Sequence, residues 1–126
     1  MTHLIQDLVF ESASRFSDKE ALVYQRKRLS YADLAREISL VREGLLALGL
    51  DRGERVAVYL EKRIEAVTGL FGAAAAGGAF VPVNPLLKPD QVAYILRDCN
   101  VRILVTSVER LKLLVEALPQ CHDLHA

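Results

Sequence analysis

The sequence predicts an α/β fold: a parallel sheet with flanking helices, of the three-layer type, preceded by a short N-terminal β-hairpin. Three observations predict it. After residue 55, short runs alternate with helix-length segments in the order strand, helix, strand, helix, strand, helix. Those short runs are apolar and rich in β-branched residues, as strands buried on both faces are. Helices placed between such strands make βαβ units with right-handed crossovers. The length, 126 residues, suits one domain with one core.

Taken in order, residues 3–15 carry a short amphipathic helix, with Leu4, Leu8, Ala13 and Phe16 at roughly helical spacing from His3 onward. Residues 21–24 and 28–30 are two β-like runs, and residues 25–27 between them read as a hairpin turn without an Asn-Gly or Asp-Gly signal. Ser30 opens a longer helix. Ser30 and Asp33 have the spacing of a capping box, with Asp in place of the usual Glu. An apolar stripe follows at Leu34, Ile38, Val41, Leu45 and Leu48. Gly49 stops the helix, and Asp51-Arg52-Gly53-Glu54 forms a polar turn. The N-terminal helices and hairpin thus occupy residues 1–54, and a βαβαβα unit occupies residues 55–126.

The run VAVYL, residues 56–60, is the first buried strand. Residues 64–76 form a helix rich in small side chains. A second apolar strand, residues 79–83, ends at the turn signal Asn84-Pro85. Pro89 stands at a first helical position, with Asp90 beside the positive helix end. That helix carries Val92, Ile95 and Leu96 on one side and ends near Asn100. Residues 101–105 are the third strand. Thr106 and Glu109 then have capping-box spacing for a last helix, residues 107–117, closed by Pro119. The chain runs out at Leu124-His125-Ala126 with no closing element, and no internal repeat or flexible linker is present.

Composition excludes several classes. The hydrophobic fraction is 52%, which is globular and not disordered. Sixteen Lys and Arg balance sixteen Asp and Glu, so no basic excess points to nucleic acid or an anionic membrane. No apolar stretch is long enough to span a bilayer, and the N-terminus lacks the pattern of a signal peptide. Cys99 and Cys121 form no CxxC pair and are expected as reduced thiols of a cytoplasmic protein.

Chemistry-bearing motifs are sparse. Gly69, Gly72, Gly77 and Gly78 fit neither GxGxxG after a strand nor Gly-Lys-Ser/Thr, so close packing and a helix stop explain them better than a phosphate loop. His122-Asp123-Leu124-His125 has no partnering ligand cluster, and no metal site is expected. Cys99 has no nearby His and follows a helix, so it is not read as a nucleophile. The charges Glu61, Lys62, Arg63 and Glu65 read as a solvated helix start. Tyr31 and Leu34 are expected to pack inward, with Ser30 and Asp33 serving the helix end.

Three stretches, in order and with family spacing, resemble the adenylate-forming enzymes. LSYADL, residues 29–34, resembles their first core motif, Leu-Thr-Tyr-x-Glu-Leu, with Ser30 for Thr and Asp33 for Glu. LGLDRGERVAVYL, residues 48–60, resembles the run into their first central strand. Residues 73–107, containing GGAFVPVNPLLKPD, look like the second core motif and its continuation. Within the superfamily, Asn84-Pro85-Leu86-Leu87-Lys88, Asp98-Cys99-Asn100 and residues 118–124 (LPQCHDL) resemble the exosortase-associated acyl-CoA ligases of bacteria.

The resemblance implies the N-terminal portion of the adenylate-forming fold. The parent enzyme would join a carboxylic acid to AMP, using ATP and Mg²⁺, and then pass the acyl group to CoA. None of the family's catalytic groups has a counterpart in these residues, so no catalytic residue and no cofactor of its own are expected of this stretch. One site carries over: Asn84, Pro85 and Leu86 match a segment that lines the entry for the CoA adenine in some members, against the plain reading of a strand exit. Two other functions stay open. One is an adenylation domain or fatty-acyl-AMP ligase that loads a carrier protein, although the Pro-Val-Asn-Pro stretch sits closer to the CoA ligases. The other is a non-catalytic interaction or scaffold domain.

Partners follow from surface as well as family. The runs Val56-Ala57-Val58, Phe80-Val81 and Ile103-Leu104-Val105 are strongly apolar, and a sheet cut from a larger one leaves an edge unpaired. A homo-oligomer is therefore expected, burying one of these strands or the Leu111, Leu114, Leu118 face of the last helix.

Overall fold

The computed structural model describes residues 4–126; the expected helix start at His3 lies outside the described residues. Helix α1 spans Ile5–Arg15. Its buried residue is Val9, with Phe10 packed beside it, whereas Leu4, Leu8 and Phe16 are exposed. The expected apolar face is therefore corrected. Val9 is one position beyond Leu8, a turn of about 100° around the helix, and that side meets the next helix.

Strands β1 (Glu20–Tyr24) and β2 (Lys27–Ser30) form the antiparallel hairpin. Tyr24 pairs with Lys27, so the turn is Gln25-Arg26 alone and Lys27 belongs to the strand. Gln25 takes φ 55, the left-handed conformation that a two-residue turn demands of one centre. Helix α2 is Tyr31–Ala47. Ser30 Oγ accepts from Asp33 N at 3.1 Å, and the Asp33 carboxylate accepts from Ser30 N at 3.3 Å, which completes the capping box. The Ser30 backbone N–H, more than any other group, holds the Asp33 carboxyl below its ordinary range. Leu34, Ile38 and Leu45 are buried, Val41 packs against the core and Tyr31 is half-buried. Leu48 is exposed, against expectation, because the helix has already stopped. Gly49 takes φ +90 and donates to Leu46 O, while Leu50 N donates to Leu45 O at 3.2 Å. This Schellman arrangement turns Leu50, not Leu48, into the core.

The parallel sheet has the order β4-β3-β5. Strand β3 (Arg55–Tyr59) is central and buried on both faces from Val56 onward. Helix α3 (Ile64–Ala75) leads to β4 (Ala79–Pro82), α4 (Pro89–Asp98) leads to β5 (Val101–Thr106), and α5 (Val108–Leu114) follows. Ala57 and Tyr59 face a core shared with Val92, Leu96, Leu114, Ala117 and Cys121, and hence with α4 and α5. Val56 faces the other way, with Ile103, against Leu45, Leu50 and Ala73 of the α2–α3 layer. Gly72 lets α3 approach α2, since a Cβ there would lie 2.7 Å from Val41 Cβ.

The C-terminal expectations change most. Ser107, not Thr106, caps α5, its hydroxyl accepting from Arg110 N at 3.2 Å. Thr106 is still in β5, and its hydroxyl donates to Tyr59 O at 2.6 Å. The helix ends at Leu114, and Pro119 lies within a 3-10 turn, Leu118–Gln120. The last residues are not loose. Ala126 N donates to Arg102 O at 3.2 Å and Leu104 N donates to Ala126 O at 2.9 Å, the hydrogen-bond pattern of a parallel pair along the outer edge of β5.

Of the three apolar runs, β4 and β5 lie at the sheet edges; Val56, Ala57, Val58 and Ile103 are buried, and Phe80, Val81, Leu104 and Val105 are half-buried. On β4, Ala79 and Val83 donate inward to Glu54 O and Val58 O. The outward positions are then Phe80 and Pro82, and Pro82 has no N–H to offer. Of the expected last-helix face, Leu114 is buried and Leu118 half-buried, leaving Leu111 exposed. The most exposed large hydrophobic side chains include Leu86, Val108, Leu113, Tyr94 and Val115.

Candidate functional site

In an open parallel sheet, the carboxyl ends of the strands converge on one rim, where loops are free to bind. Here that rim gathers three exits: Leu60-Glu61 after β3, Asn84-Pro85-Leu86 after β4, and Ser107 after β5. The β4 exit stays in register through Val83, whose N–H donates to Val58 O at 3.0 Å. Asn84 then folds the loop on itself. Its Oδ1 accepts from Leu86 N at 2.9 Å, and its carbonyl accepts from Leu87 N at 3.1 Å. Leu86 projects outward, 88% exposed. The three carried-over residues are thus brought together on one tight turn.

Two side chains missed by the sequence reading hold that turn from outside. Arg110 Nη1 donates to Pro85 O at 2.8 Å, and Tyr59 OH donates to Leu87 O at 3.2 Å. Arg110 also donates through Nε to Glu61 Oε2 at 2.8 Å, and its guanidinium lies 4.9 Å from the Tyr59 ring centre. Glu61 is shared, since Arg63 Nη1 reaches its other oxygen at 3.0 Å. The hydrogen bond from Arg110 is the first cause that keeps the Glu61 carboxyl below its ordinary range, and the same bond raises the Arg110 guanidinium. The solvated reading of this charge run therefore holds for exposed Lys62, whereas Arg63 pairs with both Glu61 and exposed Glu65, and Glu61 bridges two cations.

The remaining motifs are structural. Gly69 packs on Val58 and Val105, and Gly77 takes φ +85 at the end of α3. Asp123 accepts from Asn100 Nδ2 at 2.7 Å, so the tail carboxylate serves a turn. Cys99 and Cys121 are free, and burial pushes the Cys121 thiol up, away from thiolate chemistry. Among the described residues no three His, Cys, Asp or Glu side chains gather as ligands for a cation, and no helix is long and apolar enough to cross a membrane.

Known proteins resemble this chain over nearly its whole length. The family model described as AMP-binding enzyme matches residues 9–125. Tyrocidine synthase 3 of Brevibacillus parabrevis is 32% identical over 97% of this chain, and the chain spans 2% of it. A long-chain-fatty-acid–CoA ligase of Bacillus subtilis is 34% identical over 81% of this chain and is spanned to 18%. The crystal structure of the anthranilate CoA ligase AuaEII in complex with anthranoyl-AMP superposes with a TM-score of 0.93 at 29% identity, covering 98% of this chain and 24% of that one. The chain belongs to the AMP-binding enzyme family.

Proposed function

We propose that this chain, as a member of that family, is the N-terminal part of an AMP-forming acyl-CoA ligase of the exosortase-associated kind. The whole enzyme activates a carboxylic acid with ATP and Mg²⁺ to an acyl-AMP, releases pyrophosphate, and transfers the acyl group to CoA in the cytoplasm. Asn84, Pro85 and Leu86 contribute to the entry for the CoA adenine. The observation that carries this reading is the β4 exit. An exposed apolar side chain, Leu86, is presented at the binding rim on a turn pinned at two carbonyls. An apolar side chain presented at the rim suits contact with the face of a purine ring. The fit of nearly the whole chain to a CoA ligase supports it.

The residues described here do not fit ATP phosphates or Mg²⁺: Gly69 and Gly72 pack a helix, Gly49, Gly53 and Gly77 serve turns, and among the described residues no cluster of three His, Cys, Asp or Glu side chains is present. No step is assigned to this part through either group. It supplies the rim and the sheet, and on its own it neither adenylates nor hydrolyses.

A carrier-protein-loading adenylation domain is the second reading, favoured by the likeness to tyrocidine synthase 3. The two separate in one experiment on the full-length enzyme. Leu86→Asp is expected to raise the KM for CoA and leave acid-dependent ATP–pyrophosphate exchange unchanged, since the loss falls on CoA binding alone. A CoA dependence identical to wild type would return residues 84–86 to a structural role, and acyl transfer to a carrier protein but not to CoA would select the second reading.

A further inference from the structure

The turn after β4 is held to the rest of the rim by few groups, and they are identifiable. Its own N–H groups are used locally: Leu86 N and Leu87 N both donate to Asn84. Pro85 has no N–H. Among the described residues, the hydrogen bonds from outside the turn fall on its carbonyls, Pro85 O taken by Arg110 and Leu87 O by Tyr59, while the Leu87 side chain packs against the core. Tyr59 comes from the end of β3 and Arg110 from the first turn of α5, and both are themselves fixed. Tyr59 is 1% exposed, its ring lies in the core, and its carbonyl accepts from Thr106 Oγ1. Arg110 is oriented by Glu61 on one side and by the Tyr59 ring on another, and only 19% of its side chain is exposed.

An ion pair at a surface contributes little by itself. The Arg110–Glu61 pair has a different consequence, because the guanidinium is a planar fork with donors in fixed directions. With Nε committed to Glu61, Nη1 is aimed at Pro85 O. A lysine at this position would keep the charge, but one ammonium cannot reproduce that two-direction geometry.

We propose that Arg110, oriented by Glu61 and Tyr59, is a positioning residue that fixes the Asn84-Pro85-Leu86 turn and so sets where Leu86 meets the CoA adenine. This rests on the proposed CoA role of the turn. Arg110 acts through the Pro85 carbonyl and touches no substrate atom.

The test uses the full-length enzyme, with Leu86→Asp as the control on the underlying reading. Arg110→Met keeps the apolar stem and removes the fork. It is expected to raise the KM for CoA about tenfold, the weight of one charge-assisted hydrogen bond, with ATP–pyrophosphate exchange unchanged. Arg110→Lys is expected to leave the KM raised, because it restores charge without the fork. Hydrogen exchange read on a peptide spanning residues 84–88 should accelerate in both variants, while residues 56–59 keep their protection. The exchange reading also covers the case in which Arg110→Met is too unstable for kinetics, since Arg110→Lys retains the buried stem. A raised KM for Leu86→Asp with wild-type values for Arg110→Met overturns the positioning role and leaves the CoA reading standing. Full recovery by Arg110→Lys also overturns it, since charge and not geometry would then be acting. Wild-type CoA dependence in all three variants overturns both.

Discussion

Gly72→Ala is the substitution whose cost the packing defines most sharply. A Cβ at residue 72 would collide with Val41 Cγ1 and lie 2.7 Å from Val41 Cβ. Carbon atoms rest about 3.5–4.0 Å apart, so roughly 1 Å must be found. Rotating Val41 moves its methyl groups but not its Cβ, which is fixed by the α2 backbone. The helices themselves must separate, and the Leu34, Ile38 and Ile64 core lies between them. Overpacking of this kind costs about 1–3 kcal/mol, and a contact that backbone movement alone relieves belongs at the upper end. Alanine recovers up to about 1 kcal/mol of helix propensity over glycine. The net expectation is a loss of about 2 kcal/mol. Gly69→Ala supplies the contrast within the same helix. There the new Cβ would sit 3.4 Å from Val58 Cγ2 and 3.5 Å from Val105 Cγ1, ordinary contact. Its expected effect runs from neutral to a gain of about 1 kcal/mol. Urea unfolding with an unchanged m-value measures both. A Gly72→Ala protein as stable as Gly69→Ala would show that the Val41 contact does not set the α2–α3 spacing.

Ser30→Ala should cost about 1 kcal/mol in the same assay, the usual weight of an N-cap. The Asp33 carboxyl is lowered in the folded state, so its contribution is complete above the ordinary Asp range and is lost as pH falls through the lowered value; Asp33→Asn should flatten that part of an acid titration of stability, and an unchanged slope would argue against the box. Cys121, buried with its thiol pushed up, should resist a thiol reagent at neutral pH while the half-buried Cys99 reacts first, as peptide mapping after limited labelling would read. Self-association of this chain is proposed through exposed Val108, Leu113 and Val115, and light scattering over a dilution series should show it weakened by Leu113→Glu; a strictly monomeric wild-type chain would refute it.

The fold was legible because its signals are local and redundant. Val56 to Tyr59 had no polar position to spare for solvent, and the chain makes them the centre of the sheet. Ser30 with Asp33, Gly49, and Pro89 each mark a helix end by a backbone requirement that few other residues meet. The misreadings arose where two neighbouring residues could serve the same requirement. Thr106 and Ser107 both carry a hydroxyl, and only the pairing of Thr106 with Tyr59 across β3 and β5 removes it from the cap. Leu48 and Leu50 both fit an apolar stop, and the positive φ at Gly49 between them decides which turns inward. In α1, Leu8 and Val9 offered adjacent faces, and the choice was made by α2, a tertiary partner that periodicity cannot see.

The candidate site was legible only in its visible half. Asn84-Pro85 announces a turn because Asn closes on a backbone N–H two residues on, and that bond forms to Leu86. What holds the turn is separated from it by sequence, not by space: Tyr59 lies in β3 and Arg110 in α5, on opposite sides of residues 84–87 in the chain. Each has a sufficient local explanation. Tyr59 completes an apolar strand, and Arg110 follows a capping serine in a charged first turn. Neither betrays that its polar end is spent on a carbonyl 28 or 25 residues away. A βαβ unit makes such meetings inevitable, since it returns every strand exit to the same rim. The residues to search for are therefore the polar-tipped side chains near strand ends in such a unit. An aromatic hydroxyl at the last position of a buried strand, as in Tyr59, must find a partner beyond the sheet, and the next strand's exit is the nearest backbone on offer.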